Sequence, residues 1–233
     1  MAQIPLPFVL GTHSRFETFV HGSNSVAVDH LRSLGTEHSG EIVWIWGSSG
    51  AGKTHLLQAL CAEAAEKRLM YLPLEDALSV GVESLQGLES LDIVVLDDVD
   101  ALAGDNAWEE ALFSLYKQVV SDDVCLVMSS GQSPAGTAFQ LPDLASRAAG
   151  AVVYQLRPLD DDQSLRALQR HAEARGLDLP DASARYLQTR VSRDMGAICR
   201  WLDELDTAAL VAKRRLTIPF IGEALAARSG SGS

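Results

Sequence analysis

Gly47-Ser48-Ser49-Gly50-Ala51-Gly52-Lys53-Thr54 is the stretch whose reading decides the fold. It has the spacing GxxxxGK[ST], and its flanks give that spacing meaning. Before it, Glu41-Ile42-Val43-Trp44-Ile45-Trp46 is apolar and β-rich; after it, Leu56, Leu57, Leu60 and Ala64 recur at helical spacing. Strand, loop and helix in that order make a cradle for phosphate. Glycines let backbone N–H groups curl inward, and the helix N-terminus starting near Gly52 adds a favourable dipole field. Gly47, Ser48, Ser49, Gly50, Ala51 and Gly52 are therefore expected to wrap phosphate oxygens. Lys53 is expected to neutralise β- and γ-phosphate charge, and Thr54 to offer its hydroxyl to Mg²⁺. The implied cofactors are ATP or ADP with Mg²⁺; a mere glycine loop is the plain alternative.

Outward from the loop, strand and helix signals alternate. Leu69–Leu74 reads as a second strand, followed by a loop and a helix near 81–88. Leu91-Asp92-Ile93-Val94-Val95-Leu96 reads as a third strand, apolar enough to be buried on both faces of a parallel sheet. A helix over about 107–119, a strand over Cys125–Met128, a short helix over Leu141–Ala149 and a strand over Ala151–Leu156 complete the pattern. This predicts an α/β fold: a P-loop nucleoside triphosphatase with a five-stranded parallel sheet between helices. After Arg157-Pro158 the strand signals stop, and helices are expected at about 161–175, 180–190, 195–212 and 217–227. The expected domains are an extended N-terminal peptide (1–12), the nucleotide-binding domain (13–157), a small all-helical lid domain (158–228) and a Ser/Gly tail (229–233) of linker composition.

The third strand ends in acid. Asp97 is expected to hold the Mg²⁺ shell, and Asp98 to orient or deprotonate the attacking water. Asp98 is one methylene shorter than glutamate, so slow hydrolysis is expected. Ser129 and Ser130 end the fourth strand, where a polar group can reach a γ-phosphate, although simple turn chemistry explains them as well. Arg147 follows the short helix in Leu141-Pro142-Asp143-Leu144-Ala145-Ser146-Arg147. An arginine presented there can reach a neighbouring subunit's nucleotide and stabilise developing phosphoryl charge, with a surface ion pair as the plainer reading.

Composition bounds these readings. The 233 residues suffice for one large domain with a small satellite, and 47% hydrophobic with 21% charged residues suits a globular chain. No apolar run is long enough for a membrane span, and Met1–Leu10 carries no basic residue ahead of its apolar run, so no secretory signal is expected and the cytoplasm is the default. Cys61, Cys125 and Cys199 form no CxxC pair and read as reduced thiols. The net charge is −12. Residues 1–156 hold 7 basic against 20 acidic side chains, and residues 157–233 hold 12 against 11. So negative a first region repels duplex phosphates, and direct, sequence-independent DNA binding by it is not expected; nor is direct sequence-specific binding among the expected partners. The six histidines are scattered without metal-ligand spacing. Trp44 and Trp46 on the central strand read as core, and Lys213-Arg214-Arg215 as a helix C-terminal cluster rather than a DNA contact.

Taken together, these segments resemble the AAA+ ATPases, and within them the DnaA-related family, over nearly the full chain. Phe16-Glu17-Thr18-Phe19-Val20 with Gly22 and Asn24 is similar to that family's segment ahead of the phosphate loop. The resemblance implies that this segment, Val20 included, packs against adenine. The Asp97-Asp98 pair also looks like DnaA relatives. Glu37-His38-Ser39-Gly40, Leu141 to Arg147, Arg175-Gly176-Leu177-Asp178-Leu179-Pro180 and Leu216-Thr217-Ile218-Pro219-Phe220 are similar to the regulatory inactivators of replication initiation within the family. That resemblance implies that Arg147 is an arginine finger acting on ATP held by the initiator DnaA, and that ADP is the resting ligand. Gln3-Ile4-Pro5-Leu6-Pro7-Phe8 resembles the peptide by which such proteins dock on the β subunit of the DNA polymerase sliding clamp. Its two prolines favour an extended segment that loses little entropy on binding, with Leu6 and Phe8 in an apolar pocket and Gln3 as the polar contact.

The expected function is negative regulation of replication initiation in the bacterial cytoplasm, with the protein brought to the nucleoid by the clamp. Intrinsic ATP hydrolysis is expected to be weak or absent, and self-association stays open. Two departures from the family bear on turnover. The lid's sensor arginine aligns with Gly196, which Arg193 or Arg200 could replace, and the first sensor position falls on Gly131. A helicase-loader-type adaptor acting on a replicative helicase and single-stranded DNA is the alternative, and the acidic first region argues against it. A small-molecule kinase would need a different lid.

Overall fold

The computed structural model describes residues 13–190, 201–205 and 216–230. Gln3, Leu6 and Phe8, the sensor candidates Arg193, Gly196 and Arg200, the Lys213-Arg214-Arg215 cluster and Cys199 lie outside the described residues. The chain divides into two compact units. One holds the described residues up to Phe16, with Ser23–Ser48 and Lys53–Arg157; the other holds Glu17–Gly22, Ser49–Gly52 and the described residues from Pro158 onward.

Five parallel strands form the sheet of the first unit: β1 (Ile42–Trp46), β2 (Leu69–Pro73), β3 (Ile93–Asp97), β4 (Cys125–Ser130) and β5 (Val152–Gln155), in the order β2-β3-β4-β1-β5. Every residue of β3 and β4 is buried, as unbroken apolar runs require in the middle of a parallel sheet. β5 forms one edge, and Val152 and Val153 stay partly exposed there. Trp44, Leu72, Leu96 and Met128 build the core with Leu112, Leu115 and Val119 of the long helix α4 (Asn106–Ser121). Asp105 caps that helix by accepting from the N–H groups of Ala107 and Trp108. Cys61 and Cys125 are buried free thiols, both pushed up to about 12 by burial and so unreactive.

Two local readings of the sequence give way to the structure. Helix α1 (Ser25–Thr36) lies outside the expected elements; it buries Ala27, Val28, Leu31 and Leu34 on one face. Its N-cap position is Asn24, but the Asn24 side chain does not cap it. Instead the buried amide pairs with the backbone of Arg157, donating to its C=O at 3.0 Å and accepting from its N–H at 2.9 Å. Residues 81–88 do not form the expected helix. Helix α3 is four residues, Leu74–Ala77, and two 3₁₀ turns follow at Val82–Leu85 and Leu88–Ser90. Gly81 and Gly87 adopt positive φ at the starts of these turns, which no continuous helix can pass through.

Helices α2 (Lys53–Glu63), which begins at the phosphate-loop lysine, and α5 (Pro142–Ala148) complete the first unit. The second is helical beyond Pro158. Helix α6 (Asp161–Glu173) opens with a reciprocal capping box between Asp160 and Gln163, and α7 spans Asp181–Arg190. Residues 201–205 are helical, and the C-terminal helix is Ile218–Gly230. Leu165, Leu168, Leu187, Leu202, Leu205 and Ile221 pack together as its core. Arg175, almost wholly buried, closes that core with an ion pair to Asp203 at 2.8 Å and a hydrogen bond to the His171 carbonyl.

Candidate functional site

In the first unit, the C-terminal ends of β1, β3 and β4 bring the predicted chemistry together. Gly47 follows β1 directly, and its N–H donates to the Ser130 carbonyl at 3.2 Å, so the loop starts tied to the end of β4. Lys53, the first residue of α2, donates from Nζ back to the Gly47 carbonyl at 3.1 Å. The ammonium thus folds back onto the residue that opens the motif. Thr54 is exposed on the first turn of α2.

Asp97 closes β3 and is almost completely buried. Tyr71 of β2 donates its hydroxyl to Oδ2 at 2.7 Å, and Ser129 of β4 donates to Oδ1. Burial and the Asp97 charge push the Tyr71 phenol far above its usual range, so it stays a donor. Ser129 also accepts from the Asp98 N–H at 2.9 Å. Its hydroxyl is consumed in joining the ends of two strands, and Ser130 accepts from Gln132 N–H in a tight turn. Turn chemistry therefore describes Ser130, while Ser129 serves as a strand-to-strand link.

Asp98 is the strained member. Its backbone is left-handed at φ 58° and ψ 56°, a conformation that costs a residue with a Cβ about 1 kcal/mol or more. Its carboxyl is pushed up to about 6, first by burial and then by repulsion from Asp97, Asp100 and Glu75, with Lys53 pulling it back. Folded Asp98 thus holds a proton that the unfolded residue, at the ordinary 3.8, has released. Its ionisation weakens the fold progressively as pH rises from about 4 to about 6, and the loss is complete above that window. Asp98→Asn is expected to raise the melting temperature of the nucleotide-free protein near neutral pH by roughly 2–4 °C, or about 1 kcal/mol once solvent screening of this half-buried group is counted. The gain should vanish toward pH ~4. Thermal melts of both proteins across that range check it, and an asparagine variant no more stable at neutral pH would refute it.

Asp100 was not foreseen. Both its carboxylate oxygens accept from the Gly131 N–H, at 3.1 and 3.2 Å, and a Cβ at position 131 would lie 3.0 Å from Oδ2. A carboxylate from the 3₁₀ turn Val99–Leu102 thus lies against the backbone of position 131.

The second unit holds Ser49–Gly52 and Glu17–Gly22. Gly52 has φ 94°, and a Cβ there would come within 2.7 Å of the Phe19 ring, so only glycine fits. Phe19 and Thr18 are buried and Val20 is half-buried. Arg170 of α6 donates to the Phe19 carbonyl at 3.3 Å. Arg170, too, carried no local signal in the sequence.

Arg147 stands in the last turn of α5, exposed, with its guanidinium carbon 5.4 Å from the centroid of the Phe113 ring. Its carbonyl accepts from the Tyr116 hydroxyl at 2.7 Å. Ahead of α5, the wholly buried Glu109 carboxylate accepts from the N–H groups of Gly104 at 2.7 Å, Gln140 at 2.9 Å and Leu141 at 2.7 Å. Burial alone would raise its pKa; those donors outweigh it and hold the carboxyl below its usual value.

A parallel sheet in the order β2-β3-β4-β1-β5, with the phosphate loop after β1 between β4 and the edge strand β5, an acidic end on β3 and a helical lid defines an AAA+ P-loop protein. Residues 10–152 match the bacterial DnaA ATPase domain, and residues 161–225 match the lid domain of Hda. The chain belongs to the bacterial DnaA ATPase domain family and carries a lid of the Hda kind. Among solved structures, it is similar to domain III of the Thermotoga maritima replication initiation protein DnaA, at 23% identity over 94% of this chain and 98% of that one, with a TM-score of 0.76. AMPPCP-bound DnaA from Aquifex aeolicus matches at 24% identity over 82% of this chain and 63% of that one, with a TM-score of 0.65. The Thermotoga maritima RuvB Holliday junction branch migration motor matches at 18% identity over 94% and 70%, with a TM-score of 0.61. At such identities these structures speak for the fold. Among the described residues, no helix is long and apolar enough to cross a membrane.

Proposed function

We propose that this protein is a negative regulator of replication initiation that carries its own adenine nucleotide, docks on the DNA-loaded sliding clamp, and stimulates hydrolysis of ATP bound to the initiator DnaA. Backbone N–H groups of Gly47 to Gly52 and the Lys53 ammonium would hold the phosphates. Thr54 and Asp97 would serve the Mg²⁺, with Asp97 held in place by the hydroxyls of Tyr71 and Ser129. Val20 and its neighbours would meet the adenine, and ADP is the expected resting ligand. When bound, the nucleotide supplies the negative charge that Lys53 and the loop are built to balance. Gln3, Leu6 and Phe8 would dock on the clamp's β subunit.

The observation that carries this reading is Arg147: an exposed guanidinium at the end of a short helix whose start and finish are both tied down. A cation so presented can approach the γ-phosphate of a nucleotide held by a neighbouring AAA+ subunit and balance the charge that develops there as the phosphoryl group leaves. The product would be ADP-DnaA.

The test is phosphate release from ATP prebound to the cognate DnaA, with this protein added, in the presence and absence of clamp loaded on DNA. Release is expected only when loaded clamp is present, and Gln3→Ala should abolish it. Release that ignores the clamp would remove the docking step. Absence of release in every combination would refute the reading, and salt-sensitive binding of single-stranded DNA would then favour the helicase-loader class.

A further inference from the structure

Helix α5 is only seven residues long, too short to hold a conformation by itself. Where its arginine stands is therefore decided by what α5 rests on; it meets the 3₁₀ turn Pro134–Gly136 and α4, and the side chains that hold its two ends come from α4. Glu109, Phe113 and Tyr116 lie at successive turns of α4, spaced four and three residues apart and thus on a single face. Glu109 takes the N–H groups of Gln140 and Leu141, the two residues immediately before α5. Tyr116 takes the carbonyl at the far end, on Arg147 itself. Phe113, between them in sequence, sets its ring beneath the Arg147 guanidinium. The same ring draws the Lys117 ammonium to 4.6 Å of its centroid.

We propose that this face of α4 is a jig for Arg147, with Glu109, Phe113 and Tyr116 as positioning residues that act on a partner's nucleotide only through the arginine. The proposal rests on the trans-acting role given to Arg147 above. Each contact removes a different freedom. Glu109 fixes where α5 begins. Tyr116 fixes the depth of its last turn by donating to a carbonyl that also accepts from the Gly150 N–H at 2.9 Å, so the end of α5 is tied both to α4 and to the turn that follows it. Phe113 restricts the long arginine side chain, whose rotamer entropy would otherwise spread the guanidinium over many positions. A cation that must meet a transferring phosphoryl group gains from arriving already placed, because stabilisation of developing charge falls off steeply with misplacement.

The experiment has two arms. In the first, phosphate release from DnaA-bound ATP is measured at saturating loaded clamp for Phe113→Leu, Phe113→Tyr and Tyr116→Phe, alone and combined with Arg147→Ala. Phe113→Leu is expected to lower the maximal stimulated rate about tenfold, between the few-fold cost of a lost cation–π contact and the roughly hundredfold cost of a misplaced group. The half-saturating concentration of the regulator should not change. Phe113→Tyr, which keeps the ring, should restore the rate, and Tyr116→Phe should lower it a few-fold. On an Arg147→Ala background, none of these changes should reduce the rate further. A wild-type rate for Phe113→Leu, or an additional loss on the Arg147→Ala background, would overturn the proposal. If Arg147→Ala itself left stimulation intact, the trans-acting reading would fall, and the jig's purpose with it.

The second arm needs no partner. In protein labelled with ¹⁵N-arginine, the Arg147 Nε–H resonance, assigned through Arg147→Lys, should carry a ring-current displacement that disappears in Phe113→Leu and persists in Phe113→Tyr. An unchanged resonance in Phe113→Leu would overturn the jig even with Arg147 confirmed as the acting group. Because a rate already basal in Arg147→Ala cannot fall further through loss of fold either, the unfolding midpoint and ADP affinity of Phe113→Leu are measured beside the rate; both should match wild type, and a lowered rate that merely tracks a lowered midpoint would overturn the proposal.

Discussion

Arg147→Ala is expected to cut the stimulated hydrolysis of DnaA-bound ATP by about 10³-fold or more, the scale on which arginine fingers act. The same change should leave this protein's own fold and nucleotide affinity unaltered. The side chain is exposed, and the contact that sites α5 from behind runs through the Arg147 carbonyl, which alanine keeps. Arg147→Lys should recover little, because an ammonium cannot reproduce the planar fork that meets phosphate oxygens in pairs. Single-turnover phosphate release, beside calorimetric titration of the variant with ADP, checks both halves. An alanine variant that stimulates within tenfold of wild type would remove Arg147 from the mechanism.

Glu109→Ala is expected to destabilise the protein by about 2–4 kcal/mol, because a wholly buried carboxylate gives up its hydrogen bonds to three backbone N–H groups at once, and a bond to a charged group is worth about 1.5–3 kcal/mol where water only partly replaces it. Against a typical total of roughly 5–15 kcal/mol, such a loss leaves little margin at growth temperature. The pH dependence has a definite sign. Since the folded carboxyl sits below its ordinary value, Glu109 contributes fully above the unfolded carboxylate range, and its contribution is lost as pH falls through the lower, folded value. This runs opposite to Asp98, whose ionisation opposes folding. Urea unfolding of wild type and Glu109→Ala measures the effect, and a difference under about 1 kcal/mol would show that the three donors find other acceptors.

What could be read in advance, and what could not, divides by distance along the chain. The phosphate loop, β3 and α4 were legible because each is specified within a dozen residues, by a spacing, an unbroken apolar run or a helical period. Helix α1 was not, although Ala27, Val28, Leu31 and Leu34 carry the period; Asn24, the residue that should announce it, spends its amide on Arg157. Residues 81–88 misled because an apolar, acidic run suggests a helix while Gly81 and Gly87 impose turns. In the candidate site, Tyr71, Asp100, Glu109 and Arg170 all act on groups far away in sequence, and no local pattern marks them. Glu109 alone left a trace: a carboxylate embedded in the buried stripe formed by Trp108, Leu112 and Leu115. Gly40 shows the reverse case. It stood out in the sequence as part of a family segment, but its reason is visible only in space, where a Cβ would come within 1.9 Å of Asp123 Oδ1.

The doubly occupied carboxylate of Asp97 bears on timing. Tyr71 and Ser129 stitch it into the ends of the two neighbouring strands, so the carboxylate is placed by the sheet itself and needs no ligand to position it. On the proposed function, with ADP as its resting ligand, the regulator has no clock of its own. It would keep one nucleotide through many encounters, and the tempo of inactivation would be set from outside, by how many clamps remain on DNA behind the replication fork.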